Sequence, residues 1–435
     1  MIYKVAFISL GCAKNLVNSE QMMFLLNESG FEVTGETDGA DVVVVNTCAF
    51  IESAKAEAIE AILELGCEKG KGRIGKIIVA GCLPERYKSE VMAEMPEIDA
   101  VVGTGSFDDI VSAVKSALDG KKKPALFGDI NAPVSEAGRM VTTPPAWAYL
   151  KIAEGCDNRC AYCAIPGIRG RYRSRPMENI IKEAGTLAGR GAKELILVAQ
   201  DVTRYGLDLY GGRRLTELLA GLCGIEKLEW IRLHYLYPDE IDDALIDMIA
   251  GEPKILKYLD IPIQHINDGI LKKMRRRGTG GDIRALFKSL RARIPGAVIR
   301  TSIIAGLPGE GEEEFEELCL FLREANIERA GVFPYSPEEG TPAAQMDMPD
   351  SEAAMRRAEL LTDIQQSLMD DFNKRRIGSV TPVLIESYED GLYYARSYAE
   401  SPDIDGYLAV KGAGASIGDI MDIRITGPEE GTISP

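Results

Sequence analysis

The stretch Y-L-K-I-A-E-G-C-D-N-R-C-A-Y-C, Tyr149–Cys163, decides the fold, because a strand-like apolar run leads directly into three closely spaced cysteines. Thiolates at positions 156, 160 and 163 can bind three corners of a cubane iron–sulfur cluster and leave the fourth iron without a protein ligand. The alternative is a zinc knuckle, but structural zinc takes four ligands, and no fourth Cys or His lies within reach in the sequence. We therefore predict that Cys156, Cys160 and Cys163 hold a cluster.

Alternating strand and helix patterns surround this loop and predict a domain over residues 141–370. Its strand candidates are Tyr149–Ala153, Glu194–Ala199, Trp230–Tyr235, Tyr258–Ile263, Val298–Ala305 and Ala330–Pro334. Helical patterns lie between or after them, at Glu178–Arg190, Leu215–Leu222, Asp239–Ala250, Asp282–Arg293 and Glu312–Ala325. Six βα units are too few for a closed eight-stranded barrel, so we predict an open partial barrel with its chemistry at the C-terminal strand ends.

Residues 1–140 and 371–435 read as two further domains. The first alternates buried strands with helices, as in a doubly wound flavodoxin-like sheet. Its predicted strands are Val5–Leu10, Asp41–Val45 and Ile77–Ala80, and its predicted helices are Asn18–Ser29 and Ser53–Gly66. A long helix over Ser351–Arg376 leads to a small all-β module. The predicted strands of this module are Val383–Tyr388, Gly391–Arg396, Gly406–Val410 and Asp419–Thr426.

A second set of three cysteines lies in the first domain. Cys12, Cys48 and Cys82 each stand just past the C-terminal end of a predicted parallel strand, where open α/β sheets build their ligand sites. Three thiols placed in this way would converge, so we predict a second three-cysteine cluster. The alternative is that they are three separate buried cysteines acting as small apolar residues. Cys67, Cys223 and Cys319 lie in or at the ends of helical runs, and we expect them to be structural.

Composition bounds the class of protein. The chain has 435 residues, nine cysteines and two histidines, with 50 Lys and Arg against 67 Asp and Glu, for a net charge of −17. No run approaches the roughly 20 apolar residues of a membrane span, so a cytoplasmic location is expected. In a cytosolic chain, thiols are more often metal ligands or catalytic groups than a disulfide framework. Nucleic-acid binders usually carry a basic footprint, which this charge disfavours.

The three-cysteine loop, with Tyr162 just before its last cysteine, resembles the signature of the radical S-adenosylmethionine (SAM) superfamily over roughly 145–342. Several further stretches resemble the methylthiotransferase subgroup of that superfamily: Ile165–Arg175, Asp260–His265, Ser302–Glu310 and Phe333–Ala343. The contexts of Cys12, Cys48 and Cys82 are similar to those of the auxiliary-cluster cysteines of this subgroup. The resemblance implies two 4Fe-4S clusters and two SAM molecules, one SAM donating a methyl group to a sulfur and the other cleaved to a carbon radical.

Binding of SAM is expected at the open iron of the first cluster, with Tyr162 beside it. Polar residues at the ends of the barrel strands are candidates to hold SAM, on position alone: Gln200, His234, Tyr235, Gln264, His265, Arg300 and Ser302.

Two substrate branches are known in the subgroup, and they differ in charge. One, the MiaB type, modifies an adenosine of tRNA; the other modifies the β-carbon of an aspartate in the basic ribosomal protein S-twelve. The last module resembles a TRAM domain. From position 380 it holds ten acids against three bases: Glu386, Glu389, Asp390, Glu400, Asp403, Asp405, Asp419, Asp422, Glu429 and Glu430 against Arg396, Lys411 and Arg424.

If these groups face solvent, they repel a phosphate backbone and attract a basic protein. The run Ala395–Tyr407 also resembles the S-twelve branch. We therefore predict S-twelve as the substrate, with tRNA adenosine as the alternative. A reductant such as flavodoxin or ferredoxin and a sulfur donor are the further partners expected. A non-catalytic metal-binding scaffold is the alternative from another class of protein.

Overall fold

A computed structural model of the chain describes residues 2–120, 123–347 and 350–433. The chain divides into two compact units. The first unit comprises Met1–Thr142, Ala153–Arg175 and Ser336–Thr341. The second comprises Thr143–Ile152, Pro176–Tyr335 and Pro342–Pro435. Both sets of three cysteines therefore belong to the first unit, whereas the barrel strands and the C-terminal module belong to the second.

The first unit is built on a parallel six-stranded sheet, which confirms the doubly wound, flavodoxin-like prediction. Its strands are β1 (Lys4–Ser9), β2 (Glu32–Thr34), β3 (Val42–Thr47), β4 (Lys76–Gly81), β5 (Ala100–Gly103) and β6 (Ala125–Leu126). They lie in the order β2-β1-β3-β4-β5-β6. The central strand β3 is buried along its whole length, as expected of a parallel strand covered on both faces. The strands β2, β5 and β6 were not predicted from the sequence.

Helices cover both faces of this sheet. They are α1 (Ala13–Glu28), α2 (Glu52–Gly70), α3 (Cys82–Tyr87), α4 (Glu90–Glu94) and α5 (Ile110–Asp119). On one face, Ala58 and Ile62 of α2 pack on Val43 and Val45. On the other face, Met22 and Leu26 of α1 and Val114 of α5 pack on Val42 and Val44. Alternate residues of β3 thus supply both apolar layers.

The returning segment of the first unit carries the CxxxCxxC loop. Ala153–Glu154 pairs antiparallel with Arg173–Ser174, and α6 (Ile165–Arg169) lies between them. The cysteine loop is therefore tied at its base by a short two-stranded ribbon.

The second unit contains the predicted open barrel. Six parallel strands, β7 (Trp147–Lys151), β8 (Glu194–Val198), β9 (Trp230–Leu233), β10 (Ile255–Asp260), β11 (Val298–Ala305) and β12 (Arg329–Pro334), follow one another in sequential order. β7 and β12 are the edges, so the sheet stays open. The helices are α7 (Met177–Gly189), α8 (Leu207–Tyr210), α9 (Leu215–Cys223), α10 (Asp243–Gly251), α11 (Asp268–Lys273), α12 (Gly280–Arg293) and α13 (Glu312–Ala325). The long helix α14 (Ser351–Arg376) has the predicted bounds.

The C-terminal module is a closed five-stranded barrel. Its strands are β13 (Val380–Glu389), β14 (Leu392–Arg396), β15 (Leu408–Lys411), β16 (Ile420–Gly427) and β17 (Glu430–Ile433), in the order β13-β14-β15-β17-β16. The sequence predicts four of the five strands and misses β17. Within the described ranges, every helix is too short or too polar to cross a bilayer.

The structure corrects the charge count made for this module. Glu386 and Glu400 are buried, and the side chain of Asp405 is only 6% exposed. Among the basic residues, Arg396 is completely buried. These three acids therefore add little to the surface charge of the module, because they form ion pairs and hydrogen bonds within the second unit.

Candidate functional site

Cys12, Cys48 and Cys82 lie at the C-terminal ends of three neighbouring strands. Cys12 follows β1 and is the N-cap of α1, Cys48 directly follows β3, and Cys82 follows β4 and begins α3. Because β1, β3 and β4 are adjacent and parallel, the three residues stand side by side at one edge of the sheet.

Glycines that precede cysteines of both sets let the backbone turn tightly there. Gly11, Gly81 and Gly155 all have positive φ, a region that L side chains rarely adopt. A Cβ on Gly11 would lie 2.6 Å from Cβ of Cys48, so the residue before Cys12 packs directly against the side chain of Cys48.

The arginine of α6 extends into the first cysteine set. Arg169 is 2% exposed, and its Nη2 lies 3.6 Å from Sγ of Cys82 and also donates to Oδ1 of Asn15. Its Nη1 donates to Oε1 of Glu154 at 2.9 Å and to Oδ1 of Asn18 at 3.1 Å. The guanidinium therefore contacts one cysteine sulfur and a carboxylate two residues before the second cysteine set.

These charges and the burial perturb the thiols in different directions. Burial raises the pKa of Cys12, but the charges of Lys14 and Arg169 together with backbone hydrogen bonds outweigh it, and the pKa is lowered. Burial and the charges of Cys82 and Cys12 raise the pKa of Cys48 to about 11. Burial also raises the pKa of Cys82, although Arg169 opposes that effect. The mutual influence of the three thiols agrees with their position at one edge of the sheet.

The second cysteine set lies in the loop that the short ribbon closes. Cys156 and Cys160 are buried and Cys163 is half-buried. The backbone N–H of Cys156 donates to the carbonyl of Gly170 at 3.1 Å, and that of Cys163 donates to the carbonyl of Cys160 at 3.1 Å. A compact turn thus presents the three side chains, with half-buried Tyr162 between the last two.

Three of the predicted SAM residues lie together in the second unit. The backbone N–H of Gln264 donates to the carbonyl of Ser302 at 2.9 Å, and Gln264 has a positive φ of 70°. Nη1 of Arg300, two residues before Ser302 on β11, donates to Oδ1 of Asp260 at 2.8 Å. Gln200 is half-buried and follows β8. The binding of SAM by Gln200, Gln264, Arg300 and Ser302 stays a prediction.

The two histidines are occupied by contacts inside the second unit. Nε2 of His265 lies 3.3 Å from the carboxylate of Glu310, and its Nδ1 accepts from the backbone N–H of Asn267 at 3.0 Å. Nε2 of His234 lies 2.9 Å from Oγ of Ser401. The structure therefore gives both histidines protein partners. Tyr235, the other residue named at this strand end, has a positive φ of 61°.

Sequence reasoning assigned no role to Arg169, Glu154 or Asn15, although all three lie close to cysteines along the chain. Arg169 is part of the arginine-rich run Ile165–Arg175, and Asn15 lies three residues after Cys12. An arginine one short helix after the last cysteine of the loop is the sequence signal that could have pointed to the network.

Three family models match successive parts of the chain. Residues 4–103 match the uncharacterized protein family UPF0004, residues 150–322 match the radical SAM superfamily, and residues 377–431 match the TRAM domain. Together with the open barrel and the cysteine loop, these matches define a radical SAM enzyme that contains a TRAM domain.

Full-length relatives give the particular family. The ribosomal protein uS12 methylthiotransferase RimO of Acetivibrio thermocellus is 49% identical, over 97% of this chain and 95% of the relative. The protein of the same name from Caldanaerobacter subterraneus subsp. tengcongensis is 49% identical, over 94% and 93%. The chain belongs to the family of ribosomal protein uS12 methylthiotransferases, RimO.

Solved structures share the fold at low sequence identity. The radical SAM methyltransferase TsrM from Kitasatospora setae, solved with cobalamin and a 4Fe-4S cluster, has a TM-score of 0.59 at 15% identity, over 94% of this chain and 82% of that one. The cobalamin-dependent radical SAM enzyme OxsB has a TM-score of 0.53 at 13% identity, over 83% and 56%.

Proposed function

We propose that this chain is a radical SAM methylthiotransferase that replaces a β-carbon hydrogen of an aspartate in ribosomal protein uS12 by a methylthio group. The single observation that carries the proposal is the presence of two three-cysteine sets in a chain 49% identical to enzymes named for this reaction. The names of the relatives favour uS12 over a tRNA adenosine as the substrate.

The residues of each set fit a 4Fe-4S cluster by their chemistry. Each set offers three thiol groups, the ligand type that such clusters use, and leaves one iron open. In the described parts of the chain, no three His, Cys, Asp or Glu side chains are arranged to share a single metal ion. A cubane does not require this, because each of its thiolates binds a different iron.

When bound, the cluster at Cys156, Cys160 and Cys163 would supply the electron that cleaves SAM, and the cluster at Cys12, Cys48 and Cys82 would supply an iron site for the transferred sulfur. The protein contributes position and shielding. The ribbon and the Cys160–Cys163 turn hold one set of thiols, and the sheet edge holds the other. Burial of Cys48, Cys82, Cys156 and Cys160 limits the access of water.

The proposed reaction also requires residues that bind SAM, a source of electrons and a source of sulfur. Gln200, Gln264, Arg300 and Ser302, with Tyr162, would hold SAM by hydrogen bonds. A cytoplasmic reductant of the flavodoxin or ferredoxin class would supply electrons, and a separate donor would supply sulfur. We also propose that the chain is organised in three domains, with bounds at 1–140, 141–370 and 371–435.

Replacing single cysteines in each set separates the two assignments. After anaerobic reconstitution, the parent chain should hold about eight irons, and both Cys82→Ala and Cys160→Ala should hold about four. With dithionite and SAM, Cys82→Ala should still form 5′-deoxyadenosine, whereas Cys160→Ala should not. Both variants should fail to add the methylthio group to uS12, detected by mass spectrometry.

The matched control is Cys67→Ala, which replaces an exposed cysteine on α2 and should keep all three properties. A parent chain with about four irons, or methylthio groups found in tRNA and not in uS12, would contradict the proposal.

A further inference from the structure

Arg169 is linked to every segment of the first cysteine set, to Cys82 directly and to the other two segments through Asn15. Its Nη2 contacts Sγ of Cys82 directly, at 3.6 Å. It also donates to Oδ1 of Asn15, whose Nδ2 donates to the carbonyl of Leu10 at 3.1 Å and of Thr47 at 2.9 Å. Leu10 and Thr47 immediately precede the Gly11–Cys12 and Cys48 positions. One guanidinium and one carboxamide therefore join the three ligand segments.

The same side chain is tied to the second cysteine set. Nη1 of Arg169 forms an ion pair with Glu154 at 2.9 Å, and Glu154 lies two residues before Cys156. Arg169 itself ends the helix that follows Cys163. All these residues belong to the first unit, so the contacts are internal to one compact body.

A buried arginine has specific consequences beside a cluster of thiolates. Its planar fork can donate to several acceptors at once, which a lysine ammonium cannot do in the same geometry. Hydrogen bonds and positive charge at ligand sulfurs stabilise the more reduced, more negative state of an iron–sulfur cluster and so raise its reduction potential. Groups around a metal site also orient the ligands that bind it.

We propose that Arg169 is the positioning residue of the auxiliary cluster: it donates to the Cys82 thiolate, raises the reduction potential of that cluster, and through Glu154 couples its ligands to the radical-generating loop. This inference rests on the proposed function, because it assumes that Cys12, Cys48 and Cys82 hold a cluster. A purely structural ion pair with Glu154 would stabilise the unit but would leave the potential unchanged.

The test uses the full chain with Cys156, Cys160 and Cys163 replaced by Ala, so that the auxiliary cluster alone is observed. The measurements are iron content and the midpoint potential from a redox titration followed by electron paramagnetic resonance. Two variants are compared with this parent. Arg169→Lys keeps the charge but not the fork, and Arg169→Met combined with Glu154→Gln removes both charges without leaving a buried carboxylate unpaired.

The matched control is Arg139→Lys. Arg139 forms another buried ion pair in the first unit, with Nε donating to Oε2 of Glu20 at 3.0 Å. We expect Arg139→Lys to leave the midpoint potential unchanged. Arg169→Lys should lower it, and the double variant should lower it further, at equal iron content.

Other combinations of iron content and midpoint potential also distinguish the possible roles of Arg169. Loss of iron in the Arg169 variants but not in Arg139→Lys, with unchanged circular dichroism, would support the positioning role. Full iron with an unchanged potential, or equal effects in Arg139→Lys, would overturn it. A parent that holds no iron would overturn the auxiliary-cluster assignment itself, which separates that failure from a failure of the role of Arg169.

Discussion

Arg396 of β14 donates a hydrogen bond to Glu194 of β8, with 2.6 Å between Nη2 and Oε2. Arg232 of β9 donates to the other oxygen of the same carboxylate, also at 2.6 Å, and all three side chains are completely buried. Arg396 also donates to Glu386, which accepts from the indole N–H of Trp147 at 3.1 Å. Within the second unit, buried charges thus fasten the TRAM module to the barrel strands.

Removing Arg396 should destabilise this unit strongly. Arg396→Met leaves Glu386 without its guanidinium and Glu194 with Arg232 alone, and breaking a buried ion pair on one side costs roughly 3 to 5 kcal/mol. Both tryptophans, Trp147 and Trp230, lie in the second unit, so urea unfolding followed by tryptophan fluorescence reports on that unit. The control Lys411→Met, at an exposed position of the same module, should change the free energy of unfolding by less than about 0.5 kcal/mol. Equal effects of the two variants would contradict this account.

Acid should weaken the same unit through Glu400. Burial would raise the pKa of Glu400, but the charges of Arg376 and Arg329, together with hydrogen bonds from Arg376 and Ser397, lower it to about 2. Since this is below the ordinary value of 4.5, the contribution of the carboxylate to stability is complete above about pH 4.5 and is lost as the pH falls towards 2. The free energy of unfolding should decline over that window.

Glu400→Gln isolates this contribution. The variant should be less stable than the parent at neutral pH, because the buried Arg376 and Arg329 each lose one carboxylate partner, but its stability should decline less between pH 4.5 and 2. Glu429→Gln, at an exposed position of the same module, should keep the slope of the parent. A parent-like slope in Glu400→Gln would show that other carboxylates cause the acid sensitivity.

Long apolar runs made most of the fold predictable from the sequence. β3 and β11, with six and eight residues, carry enough pattern to be recognised. By contrast, β2 and β6 have three and two residues, too few for a period to stand out. The cysteine positions were predictable because C-terminal ends of adjacent parallel strands share one edge of a sheet.

The contacts around Arg169 could not be predicted from the sequence. Its partners Asn15 and Cys82 are 154 and 87 residues away along the chain, and only the folded unit brings them together. A sum of formal charges likewise cannot show that Glu386 and Glu400 are buried in ion pairs. The local pattern of apolar and polar residues specifies helices and strands, whereas the pairing of polar groups that are distant in the sequence depends on tertiary packing.

Gly155 should be essential for the cysteine loop. It has a φ of +78°, and a Cβ there would lie 2.0 Å from the carbonyl oxygen of Arg171, so Gly155→Ala must displace the backbone beside Cys156. After reconstitution we expect about four irons per chain where the parent holds about eight, and no 5′-deoxyadenosine. The control is Gly167→Ala in α6, where a Cβ meets nothing within 4 Å. Full iron in Gly155→Ala would show that the loop tolerates the displacement.

The exposed acids of the TRAM module should accelerate the binding of uS12. With Glu386, Glu400 and Asp405 excluded by the structure, the acids left at exposed positions are Glu389, Asp390, Asp403, Asp419, Asp422, Glu429 and Glu430, against exposed Lys411 and Arg424. Charges at the rim of an interface act mainly on the association rate, and salt screens them. Replacing Glu389, Asp390 and Asp422 by Lys should therefore slow association with uS12 by roughly tenfold at low salt, with little difference at about 1 M salt.

A matched variant separates this surface from the net charge of the chain. Glu313, Glu316 and Glu359 are exposed acids on α13 and α14, and replacing them by Lys changes the total charge by the same amount. If the module presents the attractive surface, this control should slow association much less, as measured by stopped-flow or surface plasmon resonance. Equal slowing by the two triple variants would mean that the total charge, and not the module, steers the basic partner.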